Sequence, residues 1–289
     1  MAGISREQMY ANLLRNPDSA VIPTEGVYDG ELGEFKRFIS TITPNVGGGH
    51  TAGFLAFCPG TGNGFFVSIV GSATVLPFST TNTGFPGAAY LGANAGKVRG
   101  VAAKLDFSPS GSSITNITGE VAVGVATINN FVSGTTTVDH LFDIAKAYRP
   151  IERKLTTARW MPGGLDHTYN TYNTSMNEDS NMVFVAYRNA PAGVGIPIRI
   201  TYVAEYTVKN TIGVPPTGAV SRPVGHAEVI RQLQNHDPHW HHTVLDELKA
   251  AGTGIAKDVG VAARYMARMG LTRMGQSLAK AAPGALALL

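Results

Sequence analysis

Two apolar runs in the second half of the chain carry its strongest periodic signal. Met182 to Arg188 reads Met-Val-Phe-Val-Ala-Tyr-Arg, and Ile196 to Val208 reads Ile-Pro-Ile-Arg-Ile-Thr-Tyr-Val-Ala-Glu-Tyr-Thr-Val, with Asn189-Ala-Pro-Ala-Gly-Val-Gly195 between them. In the second run Ile198, Ile200, Tyr202, Ala204 and Tyr206 alternate with Arg199, Thr201, Val203, Glu205 and Thr207. A period of two puts one face of a strand on a core. The β-branched and aromatic residues of both runs, with turn formers between them, predict two paired antiparallel strands, a buried hairpin at the hub of the fold.

The same reasoning predicts strands over Gly53 to Cys58, Phe65 to Val70, Val98 to Ser108, Gly119 to Ile128 and Lys154 to Trp160, each bounded by Gly, Pro, Ser, Thr or Asn clusters. Seven or eight strands with long, turn-rich connections argue for a sandwich or jelly roll rather than alternating βαβ units. Helical spacing occurs at Val138 to Tyr148, with apolar residues at 138, 141, 142, 145 and 148, and at Ile4 to Leu14, where Ser5 and Gln8 have capping-box spacing. Val21 to Gly49, broken by Pro23, Gly26, Gly30, Gly33 and Pro44, reads as an extended arm of the kind that lies along another surface. The expected organisation is therefore residues 1–49 as helix and arm, 50–212 as the β domain, and 213–289 as a linker from Gly213-Val-Pro-Pro-Thr-Gly218 into a helical segment. No repeat of fixed period is visible.

Charge changes this picture only near the end. Charged residues make up 15% of the chain and the net charge is +3, so the body is a weakly charged surface of the kind that associates. From Lys249 onward six basic residues, Lys249, Lys257, Arg264, Arg268, Arg273 and Lys280, face one acid, Asp258, a net +5 that leaves −2 for the rest. At 100° per residue Lys257, Arg264 and Arg268 fall within about 40° of one another while Ile255, Val259, Ala262, Met266 and Met269 line another face. The pattern is an amphipathic basic helix with a break expected near Gly270. The first 37 residues carry Arg6, Arg15, Lys36 and Arg37 against six acids, so no basic N-terminal arm exists. One cysteine, Cys58, excludes an intramolecular disulfide framework and Cys-based zinc sites, and its apolar setting reads as a small buried thiol. No stretch of 18 apolar residues and no charged-then-apolar leader is present, so membrane spanning and secretion are not expected.

Lys97-Val-Arg-Gly-Val-Ala-Ala-Lys-Leu-Asp-Phe-Ser-Pro-Ser-Gly111 and Thr118-Gly-Glu-Val-Ala-Val-Gly-Val125 resemble the paired central strands of the single jelly-roll coat proteins of small icosahedral viruses, nodavirus-like and tombusvirus-like. Arg159-Trp-Met-Pro162 and the Met182 to Val208 segment with Glu205-Tyr206 follow in the matching order, so the resemblance spans roughly residues 47 to 208. It implies an all-β fold, an eight-stranded antiparallel jelly-roll sandwich with an N-terminal arm and a C-terminal α-helical segment. It also implies a non-enzymatic capsid protein that self-assembles into a shell around an RNA genome, located in the virion and assembled in the host cytoplasm. The chain departs from the family in two ways: it lacks an Arg/Lys-rich N-terminal arm, and its Asn-Ala pairs, Asn94-Ala95 and Asn189-Ala190, are misplaced for the self-cleavage that frees a C-terminal amphipathic peptide. A jelly-roll carbohydrate- or ligand-binding module forming a small oligomer is the alternative.

Candidate chemistry is sparse. Gly92-Ala-Asn-Ala-Gly96-Lys97-Val98 is one residue short of a phosphate loop and has valine where a metal-binding hydroxyl belongs, and Gly60-Thr-Gly-Asn-Gly64 is half a dinucleotide fingerprint; both read as turns. The cluster of His236, His239, His241 and His242 offers imidazoles for a metal or a pH-sensitive contact, or simply cap and surface histidines. Asp166, Glu178 and Asp179 are candidate interface-calcium ligands or solvated loop charges; no other cofactor is expected. No Ser sits in a Gly-x-Ser-x-Gly elbow. For the basic C-terminal helix three readings remain: packing beneath the shell, contact with nucleic acid, and insertion of its apolar face into a membrane interface.

Overall fold

The computed structural model describes residues 5–43, 51–61, 64–71, 79–80, 85–107, 118–131, 134–151, 155–163, 166–172, 180–191, 196–209, 220–221, 224–237 and 240–244. The chain divides into two compact units, Ser5–Thr243 and a second of Met1–Ile4 with Val244–Leu289. Of the second only Val244 is described, so the linker Gly213 to Gly218 and the basic helix predicted beyond Ile255 lie outside the described residues.

Helix α1 (Arg6–Arg15) starts where the capping box places it: the Ser5 hydroxyl accepts the Gln8 N–H and the Gln8 side chain accepts the Ser5 N–H. The chain then gives β1 (Gly30–Glu31), β2 (Glu34–Ile42), β3 (Ala52–Phe57), β4 (Phe65–Val70) and β5 (Ser79–Thr80). Next come α2 (Ala88–Asn94), β6 (Ala95–Phe107), β7 (Glu120–Thr127), α3 (Val138–Ile144), β8 (Ala147–Pro150) and β9 (Thr156–Arg159). Last are β10 (Asn170–Thr171), β11 (Asn181–Arg188), β12 (Ile198–Val208), β13 (Val220–Ser221), α4 (His226–His236) and β14 (His242–Val244).

One sheet has the order β14-β9-β6-β12-β2 with β10 added on β6, the other the order β5-β4-β3-β11-β7-β8; β1 and β13 form a separate pair. Eight strands nest by pairs: β2 with β12, β3 with β11, β6 with β9, and β7 with β8, all antiparallel. First pairs with last and each inner pair follows, which is one long antiparallel hairpin rolled into two facing sheets, a jelly roll.

This corrects the hairpin reading of Met182 to Val208. β11 and β12 lie in opposite sheets, and their connection crosses the sandwich through Asn189, whose φ is 54°. β6 and β7, matched to a pair of adjacent strands, are likewise split between the sheets. Both runs are apolar on two faces because the molecule has four layers. Between the sheets lies a core including Phe57, Leu105, Phe107, Val185, Ile200 and Tyr202. α3 covers the other face of the β11 sheet through Val138, Leu141 and Phe142 against Phe54 and Phe184. α1 and α4 cover the outer face of the β12 sheet through Leu13, Leu14, Val229 and Leu233 against Val101, Ala102 and Val203. Each such side chain taken fully from water contributes about 1.5–3 kcal/mol.

Four further expectations change. Residues 34–42 are a full strand rather than free arm, because β2 pairs over nine residues with β12. The helix predicted to Tyr148 stops at Ile144, and Ala147–Pro150 pair with β7 instead. Gly92 to Lys97 is not a turn: α2 runs straight into β6, the reverse of the strand-then-helix order that a phosphate loop requires. The outward residues Thr201, Val203 and Glu205 of β12 are as buried as its inward ones.

Candidate functional site: a clamped arm and an open sheet edge

The outer face of the β12 sheet holds the N-terminal segment by charged groups. Arg99 on β6 lies directly opposite Glu205 on β12, just past a bulge between Val203 and Ala204. The bulge makes both Val101 and Ala102 face outward under the helices. Arg99 donates from Nε to Glu205 Oε2 at 2.8 Å and from Nη2 to Oε1 at 2.9 Å, with side chains 1% and 0% exposed. Its remaining N–H groups reach the carbonyls of Asp29 (2.8 Å), Glu31 (3.3 Å) and His167 (3.4 Å). Glu205 Oε1 also accepts the Gly33 N–H at 2.9 Å and the Tyr169 hydroxyl at 3.0 Å. The Tyr169 and Tyr28 rings lie 4.1 and 5.2 Å from the guanidinium carbon. All five guanidinium donors are used, and the carboxylate accepts four bonds. Burial and the adjacent carboxylate push the Tyr169 phenol well above its usual range.

The same face grips the arm elsewhere. Lys104 lies 2.5 Å from Asp18 and 2.9 Å from Asp106, which accepts from Thr157 at 2.7 Å. Arg37 donates to the Ala20 carbonyl, and Arg159 donates to the carbonyls of Arg15 (2.6 Å) and Trp240 (3.1 Å). The arm predicted to lie along another surface lies along its own sheet. The Arg99–Glu205 cluster is closed, its ions matched by fixed donors and acceptors, an arrangement that suits clamping; Asp18 Oδ1 and Arg37 Nε, by contrast, are buried without a hydrogen-bond partner among the described residues.

Asp166 is not a solvated loop charge. It is buried, and its Oδ2 accepts the N–H groups of Gly163 (2.6 Å) and Asn181 (3.2 Å). Burial pushes its carboxyl above the usual 3.8 against the pull of those bonds. Glu178 and Asp179 lie outside the described residues. Of the histidines, His236 ends α4, His241 is buried beside Trp240 and its carbonyl accepts the Arg159 N–H, His242 begins β14, and His239 is outside the described residues. No group of three or more His, Cys, Asp or Glu that could hold a metal occurs among the described residues. Cys58 is buried, and burial pushes its thiol well above the usual value. Lys249, Lys257, Arg264, Arg268, Arg273 and Lys280 lie outside the described residues. Sequence reasoning missed Arg99 with Glu205; β6 also carries Lys97, Lys104 and Asp106 and β12 also carries Arg199, so nothing in the residues alone singled out this pair.

With both broad faces covered, exposed apolar groups gather at the flanks. Ile39 on β2 is 49% exposed and Val21 68%; at the opposite flank Tyr148 on β8 is 65% exposed, with Leu155 just before β9. The sheet ends differ in length: β5 has two residues, β14 three, β8 four ending in Pro150, and β2 nine. Short strands and proline blunt an edge, and a long straight strand leaves its N–H and C=O groups available.

These features define the fold as a jelly-roll β-sandwich. A solved structure of infectious bursal disease virus, Gx strain, matches it with a TM-score of 0.50 at 9% identity, covering 79% of this chain and 93% of that one. The T13 particle of the same virus gives 0.47 at 10% identity over 81% and 92%, and tobacco necrosis virus 0.40 at 13% over 62% and 97%. No protein-family model and no curated protein matches the sequence.

Proposed function

We propose that this chain is the structural subunit of a viral capsid, self-assembling into a closed icosahedral shell and acting without catalysis. The observation that carries the reading is the nested eight-strand jelly roll, shared in fold with the bursal disease virus structure. Two further features support it. The broad faces are packed under the chain's own helices and the Arg99–Glu205 pair is internally matched, which leaves flanks and loops for contact with other copies. Symmetric repetition of modest contacts suffices to close a particle.

In this reading the protein resides in the virion after assembly in the host cell. The +5 segment from Lys249 faces the interior and neutralises about five phosphates of an RNA genome per subunit, or places its apolar face on a membrane. The test is expression of the full chain, followed by light scattering, negative-stain microscopy and absorbance at 260 and 280 nm on one fraction. Uniform shells tens of nanometres across are expected. A monodisperse monomer or trimer, stable across salt and pH, overturns the reading in favour of a ligand-binding module. Deleting Lys257 to Leu289 should lower the nucleic-acid content of the particles; unchanged content excludes the genome contact.

A further inference from the structure

We propose that the outer edge of β2, which pairs with no second strand among the described residues, is a twofold contact at which a second copy of this chain adds its own β2, antiparallel, joining two six-stranded sheets into one. The inference deepens the self-assembly reading and rests on it. Of the four sheet ends, β2 alone among the described residues combines nine residues, no proline and an unbroken register against its inner neighbour β12. An edge of this kind is a template for another strand. It is also apolar where it faces out: Ile39 is half exposed, and Val21, whose neighbour Ala20 is tied to Arg37 of the same strand, adds a second exposed apolar group.

The residues select the register. A twofold axis normal to the sheet keeps outer faces together, so one residue of β2 meets its own copy. Centring on Lys36 or Arg37 sets like charges directly opposite, which is unfavourable. Centring on Phe38 pairs a ring already buried and stacked on Tyr202 at 4.9 Å, so nothing apolar is gained there. It also sets Arg37 against Ile39. Centring on Ile39 buries the most exposed apolar side chain of the strand on its twin. It opposes Lys36 to Ile42 and Arg37 to Thr41, and keeps residues 36–42 in the ladder. Centring further along shortens the ladder.

The test uses the single buried Cys58 as a silent background. In the full chain Ile39→Cys places two thiols across the axis, where opposed residues have Cβ atoms about 4.5–5.5 Å apart, close to disulfide reach. Mild oxidation should convert most of the protein to a covalent dimer on a non-reducing gel. Thr41→Cys, which faces Arg37 of the other copy, and Tyr148→Cys, on the opposite flank, should stay monomeric under the same oxidation. Ile39→Lys, at an exposed position that preserves the fold, should weaken self-association at least tenfold in sedimentation. Ile39→Cys forming no more dimer than Tyr148→Cys overturns the proposal, as does unaltered association of Ile39→Lys. Microscopy of the same samples separates the two ideas. Shells without the Ile39 cross-link sink the twofold contact and leave the capsid reading standing, whereas a cross-linked dimer without shells does the reverse.

Discussion

Replacing Glu205 by leucine tests whether the buried ion pair holds the arm to the sheet. The substitution leaves the Arg99 guanidinium, 1% exposed, with three backbone carbonyls and no counter-ion, and strips the Gly33 N–H and the Tyr169 hydroxyl of their acceptor. Breaking one side of a buried pair costs about 3–5 kcal/mol, against a total stability on the order of 5–15 kcal/mol. Arg99→Met should cost less, because Glu205 keeps two donors. The double substitution should cost less than the sum, with a coupling of about 1–3 kcal/mol, because it removes both charges together. Urea unfolding followed by tryptophan fluorescence measures these values, and hydrogen exchange at residues 27–33 reports arm release separately. A Glu205→Leu protein within about 1 kcal/mol of the parent, a small effect for so buried a site, with no coupling to Arg99, would refute the clamp.

Other outcomes follow from single groups. Asp166 has a folded pKa above its unfolded value, so its contribution to stability is full below pH 3.8 and is lost as pH rises through the folded value. Asp166→Asn should flatten that acid-side slope in a thermal-melting pH series and leave the protein no less stable at pH 7. Gly119 has φ +108°, and a Cβ there would sit 2.6 Å from the Asn189 carbonyl oxygen, whereas Gly134 at φ +80° has open space. Gly119→Ala should therefore cost more than about 2 kcal/mol and Gly134→Ala about 1 kcal/mol, read as a difference in urea midpoint. Cys58 should react with a thiol reagent only on unfolding, and reaction in the native state would place it at the surface.

Strand positions were legible and sheet membership was not. Phe65–Val70 matched the periodic reading to the residue, and β3, β7 and β12 came within two residues at each end. Which strands pair depends on which face meets which layer, and β11 hid this because Met182 to Tyr187 are buried on both sides. The alternation in β12 was real, with Arg199 exposed, yet the middle of its outward set was buried too, since Thr201, Val203 and Glu205 lie under the arm and helices rather than in water. β2 was missed because an edge strand needs only Phe38 in the core, and Glu34, Lys36 and Arg37 break any apolar run. Arg99 and Glu205 are 106 residues apart, so only the bulged register of β6 against β12 makes them partners.

The open edge and the clamped arm have one topological cause. In a nested hairpin the first strand pairs only with the last, so β2 must end its sheet, and it does so beside β12. A terminal strand entered from an arm with little regular secondary structure is the element most easily lost by fraying. The sheet answers this with side chains on strands already fixed by two neighbours: Arg99 and Lys104 on β6 and Glu205 on β12 reach across to residues 18–33. Arg99, Arg37 and Glu205 hold the arm by its backbone carbonyls and one N–H, while Lys104 holds it by the Asp18 carboxylate and Val27 and Tyr28 are buried against the sheet. A polar, acidic arm works as a strap here, where a basic one would repel Arg37, Arg99, Lys104 and Arg159. On this reasoning the acidic character of residues 18–33 follows from where that segment is bound, beside Arg37, Arg99, Lys104 and Arg159.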